Sequence, residues 1–394
     1  MRVLQVNSVV NSGSTGRIAE DIGIEVMSQG HKSYIAYGRG KRPSKSELIK
    51  IGNIKDVYLH GVRTLLLDQH GLGSYNATKS LIKEIDLIKP EILHLHNIHG
   101  YYLNYQVLFE YIKVKNIPVV WTFHDCWPFT GHCTFFDAVD CVKWKTQCDK
   151  CPLISKYPRS FVDRSFKNFQ DKKEAFLNVD NLTIVTPSNW LKNLVEQSFL
   201  KEYRVETINN GIDLQNFYPP KIKVNEKVVL GVASTWSDRK GLQDFIKLRQ
   251  ILADDVKIVL IGLSNSQIKS LPKNIIGISK TESIKELAEW YQKATVFVNP
   301  TYSDNFPTTN IEALACGTPV ITYNTGGSPE SINSNIGEVV GKGDIKALKK
   351  AIERFLVKED LQELMKACRN HAQRYFNKDD RFKEYLNLYK SISV

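Results

Sequence analysis

Long apolar runs are missing from this 394-residue chain: nowhere do about 18 consecutive apolar residues occur, the length a membrane-spanning helix needs. The amino terminus, MRVLQVNSVV, lacks the basic segment and apolar stretch of an export signal, so no signal peptide is expected. Repeats of solenoid period and low-complexity tracts are also absent, which excludes an array of small units. Cysteine is sparse outside one stretch, since Cys316 and Cys368 stand alone among seven. A cytoplasmic protein, soluble or peripheral at the inner membrane face, is the expectation.

What is present points to a folded chain of two domains. One hydrophobic core usually stops growing before this length is reached. Apolar residues at 42% and charged residues at 24% exclude a disordered chain. The formal net charge of +11 suggests polyanionic partners: nucleic acid, an anionic membrane surface or phosphate-bearing small molecules.

Short apolar strands alternate with longer amphipathic segments. RVLQVN, a helix-like segment from Arg17 to Gln29, SYIAYG, EILHLHN and PVVWTFH come first. Later come VVLGVAS, VKIVLIG, NIIGIS, TVFVNP and TPVITYN. This alternation predicts an α/β fold of two Rossmann-like doubly wound domains. The Pro219-Pro220 pair and the lysine-rich KIKVNEK break the rhythm as a connector does. The expected division is 1–215 for the first domain, with a cysteine-rich insertion at about 126–151, and 216–378 for the second. A helix over 379–394 would cross back to the first domain.

In open α/β sheets ligands sit beyond the carboxyl ends of strands, so chemistry is sought just after them. The segment Thr301-Tyr302-Ser303-Asp304-Asn305-Phe306-Pro307-Thr308-Thr309-Asn310-Ile311-Glu312 follows TVFVNP and places two carboxylates around a loop-to-helix transition. Asp304 can accept hydrogen bonds from sugar hydroxyls, and Glu312 can chelate two ribose hydroxyls. Pro307 is expected in the first helical turn. The free amides near Phe306, Pro307, Thr308 and Thr309, with the helix dipole, suit a diphosphate.

This segment, running on into Glu312-Ala313-Leu314-Ala315-Cys316-Gly317-Thr318-Pro319, resembles the retaining glycosyltransferases of family 4, which have the GT-B fold of two domains facing a central cleft. The first acid is Asp304 where the family has Glu. Ser237-Asp238-Arg239-Lys240-Gly241 matches the family's basic pair for the diphosphate through Lys240. Thr235 replaces the usual Arg, so Arg239 is expected to supply the second charge. The resemblance also places Gly13 and Gly16, in Asn11-Ser12-Gly13-Ser14-Thr15-Gly16, toward donor phosphates and acceptor. It sets His124 near the donor sugar, Ile278 near the base, and Thr325-Gly326-Gly327 at the cleft. Asn209-Asn210-Gly211-Ile212-Asp213 resembles a family turn in which Gly211 would take positive φ. His94, His96 and His99 either line the acceptor side or are satisfied within the fold.

Cys133, Cys141, Cys148 and Cys151 supply four thiols, with Cys126 and His132 as substitutes. They are expected to hold a structural zinc; reduced thiols or redox-sensitive disulfides are the other readings. After them, Phe161, Phe166, Phe169 and Phe176 interleave with Arg159, Arg164, Lys167, Lys172 and Lys173, either as a membrane-touching face or as core.

Family membership implies transfer of a sugar from a nucleotide diphosphate donor to a hydroxyl of a glycan or lipid-linked acceptor, in polysaccharide or capsule biosynthesis. No cofactor is required for catalysis. The alternatives are a GT-B-type nucleotide-sugar epimerase or a phosphorylase, and a zinc-stabilised nucleic-acid-binding protein. Nucleic acid is not the expected partner, because the cysteine spacing matches no nucleic-acid module.

Overall fold

The computed structural model describes residues 1–224 and 226–393. Asn225, in the expected connector, and Val394, at the end of the expected last helix, lie outside them. The chain divides into one unit of residues 1–209 and 381–394 and a second of residues 210–380. The first boundary falls ahead of the Pro219-Pro220 connector, since Asn210 to Pro220 already belongs to the second unit.

In the first unit the elements run β1 (Arg2–Asn7), α1 (Gly13–Ser28), β2 (Lys32–Tyr37), β3 (Glu47–Lys50), α2 (Ile54–Leu67), α3 (Tyr75–Ile88), β4 (Ile92–Leu95), α4 (Tyr105–Lys115), β5 (Val119–Thr122), α5 (Ser165–Phe176), β6 (Leu182–Thr186), α6 (Asn189–Val195) and β7 (Arg204–Thr207). Its sheet has the order β3-β2-β1-β4-β5-β6-β7, and every pairing is parallel. Strands covered on both faces read as continuous apolar runs, and β4 and β5 are buried at every position. Side-chain caps start several helices: Asn53 and Asp56 form a capping box on α2, and Asn104 and Ser188 cap α4 and α6.

The second unit continues with β8 (Val228–Val232), α7 (Leu242–Arg249), β9 (Lys257–Ile261), α8 (Asn265–Lys269), β10 (Ile275–Ile278), α9 (Ile284–Lys293), β11 (Val296–Asn299), α10 (Thr308–Ala315), β12 (Val320–Tyr323), β13 (Gly337–Val340), α11 (Ile345–Leu356) and α12 (Leu361–Phe376). Its sheet order is β10-β9-β8-β11-β12-β13, again parallel. In both sheets the order reverses once, between β1 and β4 and between β8 and β11. These are the switch points at which doubly wound folds open a crevice.

The last helix, α13 (Lys378–Ile392), places Phe382, Tyr385, Leu386 and Tyr389 on one face at helical spacing. They pack with Val3, Ile92, Val120 and Val185, so this helix covers one face of the first sheet. No helix among the described residues is long and apolar enough to cross a membrane.

Candidate functional site

The second unit's switch point brings together three segments that are far apart in sequence. The loop after β8 carries Arg239 and Lys240, and the loop after β11 carries Asp304. Lys240 Nζ lies 2.5 Å from Asp304 Oδ2, and an Arg239 guanidinium nitrogen lies 2.5 Å from the Ser303 carbonyl. The backbone repeats the join, because the Tyr302 amide donates to the Arg239 carbonyl at 2.8 Å. From a third segment, the Gly327 amide donates to the Asp304 carbonyl at 3.1 Å. Gly326 has φ +56, and a Cβ there would stand 1.8 Å from the same carbonyl, so only glycine lets this turn close on Asp304.

Helix α10 begins at Thr308, and Pro307 is its N-cap with φ −69 and ψ 117. The expectation that Pro307 enters the first turn is thus corrected: its extended ψ makes it the last residue before the helix. No side chain caps this end. Thr308 and Thr309 are half-buried there, whereas Asn305 and Phe306 are buried. Phe306 has a structural contact, its ring edge-on to Phe376, and its carbonyl accepts from Asn210 at 3.0 Å. Glu312 is 3% exposed and sits in the second turn of α10. The Tyr291 hydroxyl on α9 donates to its Oε2 at 2.9 Å. Tyr291 carries no local motif, so the sequence reading missed it. Ile278 ends β10, where its carbonyl accepts from Gly262 and Leu263.

Gly211 does not take the expected positive φ. A Cβ there would stand 2.5 Å from Lys378 Cα, so glycine is needed for close backbone approach. Asp213 pairs with Lys378 at 2.6 Å beside it.

In the first unit, Gly13 (φ +63) opens α1 with nothing within 4 Å of its would-be Cβ. At Gly16 a Cβ would meet the Asn11 nitrogen at 3.1 Å. Histidines gather in β4 and past the ends of β4 and β5. His94 is fully engaged, with Tyr389 at 2.6 Å and Thr122 at 2.8 Å, and so belongs to the core. Gln5 donates to the Ala19 carbonyl through its amide nitrogen, which leaves its oxygen to accept from His96 Nε2 at 3.0 Å. Burial holds the pKa of His96 well below 6.5 and that of His124 at about 4. With both rings neutral, His96 Nδ1 accepts from His124 Nε2 at 3.1 Å, which leaves His124 Nδ1 as an acceptor. His99 pairs with Asp125 at 2.9 Å and lies in an aromatic cluster with His70, Trp127 and Tyr157. That cluster also escaped the sequence reading, because its members come from four separated segments.

The cysteine-rich stretch is built of turns and short 3-10 helices. All seven cysteines are free. Of the two readings of the phenylalanines, core holds for Phe169 and Phe176, which are buried, whereas Phe161 (66% exposed) and Phe166 (51%) face outward. Helical spacing puts the other two on the core side of α5.

Two parallel doubly wound units of this kind, with strand-end loops carrying cations and carboxylates, define a GT-B glycosyltransferase fold. Residues 15–216 match the model of Glycosyltransferase Family 4, and residues 215–375 match that of Glycosyl transferases group 1. The chain belongs to Glycosyltransferase Family 4 and is a glycosyltransferase. It is 25% identical over 415 residues to an Escherichia coli K12 protein provisionally named a colanic acid biosynthesis glycosyl transferase, WcaC, covering 100% of both. It is 27% identical over 280 residues to the N,N'-diacetylbacillosaminyl-diphospho-undecaprenol alpha-1,3-N-acetylgalactosaminyltransferase of Campylobacter jejuni, covering 64% of this chain and 72% of that one. Anabaena HepE in complex with UDP and glucose shares the fold, with TM-score 0.68 and 12% identity over 99% of each chain.

Proposed function

We propose that this enzyme transfers a sugar, with retention of anomeric configuration, from a nucleoside diphosphate donor to a hydroxyl of a lipid-linked glycan in surface-polysaccharide assembly. The observation that carries the donor site is the Lys240–Asp304 pair at the mouth of α10, on the β8/β11 switch point. Lys240 and Arg239 neutralise the diphosphate, and the α10 amides at Thr308 and Thr309 receive its oxygens. Glu312, oriented by Tyr291, accepts from the ribose hydroxyls. Asp304, released from Lys240 when phosphate takes the cation, accepts from sugar hydroxyls. Gly13 and Gly16 open the β1 loop to substrate, His124 Nδ1 accepts from a hydroxyl, and Ile278 stands at the base. In the transfer, the bond from the anomeric carbon to the phosphate oxygen breaks. The acceptor oxygen bonds to that carbon on the same face, and its proton passes to the departing phosphate. The named activities of the Escherichia coli and Campylobacter jejuni relatives support the pathway and the lipid-linked acceptor.

The reading includes peripheral contact with an anionic membrane. On α2 only His60 and Thr64 are buried, while Ile54, Tyr58, Leu59, Leu66 and Leu67 are at least half exposed. The Phe161 amide donates to the Leu65 carbonyl at 2.8 Å, which brings exposed Phe161 and Val162 beside this helix. Arg159 lies 5.6 Å from the Phe161 ring. Apolar residues among Lys55, Arg63, Arg159 and Lys167 suit an anionic lipid surface.

The test is incubation with nucleotide sugars and an undecaprenyl-diphosphate-linked acceptor, with proton NMR of the product. Retention is expected; an inverted anomer contradicts the mechanism, and conversion of donor without acceptor favours an epimerase.

A further inference from the structure

The cysteine-rich insertion raises a separate question, which the transfer chemistry does not answer. Between β5 and α5 the chain runs over 40 residues without a strand or an α-helix. A stretch of that length made only of turns and short 3-10 helices is uncommon in a compact domain. Cys133, Cys141, Cys148 and Cys151 all line one cavity of about 20 Å³, together with His132, Lys143 and Trp144. The Cys133 and Cys151 thiols are hydrogen-bonded to each other, and Cys148 lies within electrostatic range of Cys133, Cys141 and Cys151.

Backbone amides point at two of these sulfurs, as they do at metal-bound thiolates. The Gly131 amide bonds to the Cys148 sulfur, and the Leu153 amide bonds to the Cys151 sulfur two residues before it. Such N–H to sulfur bonds orient ligands and spread their charge. Gly131 cannot be replaced, because a Cβ would stand 2.8 Å from Cys148 Cβ and 2.2 Å from the Ser165 carbonyl oxygen. A buried ammonium, Lys172, bonds to the Trp127 and Thr130 carbonyls and interacts electrostatically with Cys133 and Cys148. His132, also at the cavity, gives Nδ1 to Asp68 at 2.6 Å, while its buried Nε2 has no partner among the described residues. Nothing in an apolar core explains four thiols turned to one cavity with backbone amides bonded to two of them.

We propose that Cys133, Cys141, Cys148 and Cys151 bind one Zn²⁺ as a closed tetrahedral structural site. Among the described residues no three ligand groups already stand in coordination geometry, so metal binding draws the four sulfurs inward around the cavity. Four thiolates on Zn²⁺ would form a dianionic centre, which Lys172 and the amides of Gly131 and Leu153 would offset. The site would pin the insertion, in which the Cys126 amide donates to the Thr134 carbonyl at 2.8 Å, so metal loss should loosen the loop after β5 while leaving nucleotide binding by the second unit intact. With all four positions filled, zinc has no open place for substrate or water.

The experiment is metal analysis of the full-length protein expressed with zinc and purified without chelator, followed by titration with a mercurial while a chromogenic zinc indicator is read. About one zinc per chain is expected, released as about four thiols react. Cys148→Ser and Cys151→Ser should lose the metal, and Cys126→Ser and Cys368→Ser should keep it. Because the titration uses the unaltered chain, misfolding of a variant does not decide the outcome. Less than a tenth of a zinc per chain with freely reactive thiols overturns the proposal, as does a Cys133–Cys151 disulfide found by mass spectrometry of freshly purified protein.

Discussion

Lys240 Nζ and Asp304 Oδ2 stand 2.5 Å apart although 64 positions separate them in the chain. Each follows one of the two strands that flank the switch point of the second sheet. The pair is mostly buried, at 20% and 15% side-chain exposure. Taking both charges largely out of water offsets most of their attraction, so the intact pair adds little net stability to the fold, too little to be its chief use. Lys240→Met should therefore lower kcat by about 10²–10³-fold, the usual effect of losing a charge that meets the developing phosphate. Asp304 is left without its cation at 15% exposure, so the melting temperature should fall, by an amount small beside the loss in kcat. Steady-state kinetics and a thermal melt on the same preparation check both halves; a large loss of stability with normal kcat places the pair in the scaffold instead.

The first unit should weaken in mild acid. Burial holds His60 at about 3 and His124 at about 4, and keeps His70, His94 and His96 well below 6.5. The folded chain keeps these rings neutral, while the unfolded chain protonates them near 6.5. Stability is thus complete above about pH 6.5 and is lost as pH falls toward the folded values. Each ring accounts for roughly 1.4 kcal/mol per pH unit in that window. Calorimetry from pH 7.5 to 5.5 should show a falling transition temperature with net proton uptake on unfolding; a flat profile contradicts the burial of these histidines.

The last helix should be integral to the first unit. Tyr389→Phe removes the hydroxyl that His94 Nδ1 meets at 2.6 Å and leaves that nitrogen buried without a partner. The expected cost is about 1–3 kcal/mol in urea unfolding. His94 also holds Thr122, so a change below measurement would mean that α13 is only loosely docked.

Much of this was legible beforehand, for physical reasons that differ by residue. Buried parallel strands must be continuous apolar runs, and so β4, β5, β11 and β12 show themselves as strings such as ILHL and VITY. The Asp304-to-Glu312 segment is contiguous because loop and helix start form one local unit. Tyr291 and the cluster of His70, His99 and Tyr157 were invisible because their partners come from other elements, and spacing in sequence carries no trace of that. Gly211 was misjudged since a glycine's need for room looks the same in sequence as its need for positive φ. The exposed apolar face of α2 was missed for a related reason: a run such as VYLHGVRTLLL reads as core-facing unless its orientation is known.

That α2 face should bind anionic bilayers. Cosedimentation with phosphatidylglycerol vesicles is expected, with little binding to phosphatidylcholine alone and a steep loss in salt. The double substitution Leu66→Ser and Phe161→Ser should weaken it about tenfold or more, given the apolar area withdrawn. Equal binding to neutral vesicles, or a dimer dissolved by the same substitutions, would assign the face to another role.

The donor site itself is tested most directly by calorimetric titration of UDP and GDP into the parent protein and the Glu312→Gln variant. Glutamine can still accept from Tyr291, so the fold is preserved while the charge that meets the ribose hydroxyls is lost. One of the two nucleotides should bind the parent, and the variant should bind it at least about tenfold more weakly, in line with the loss of hydrogen bonds to a charged group. Equal affinity in parent and variant would contradict the placement of the nucleotide at α10.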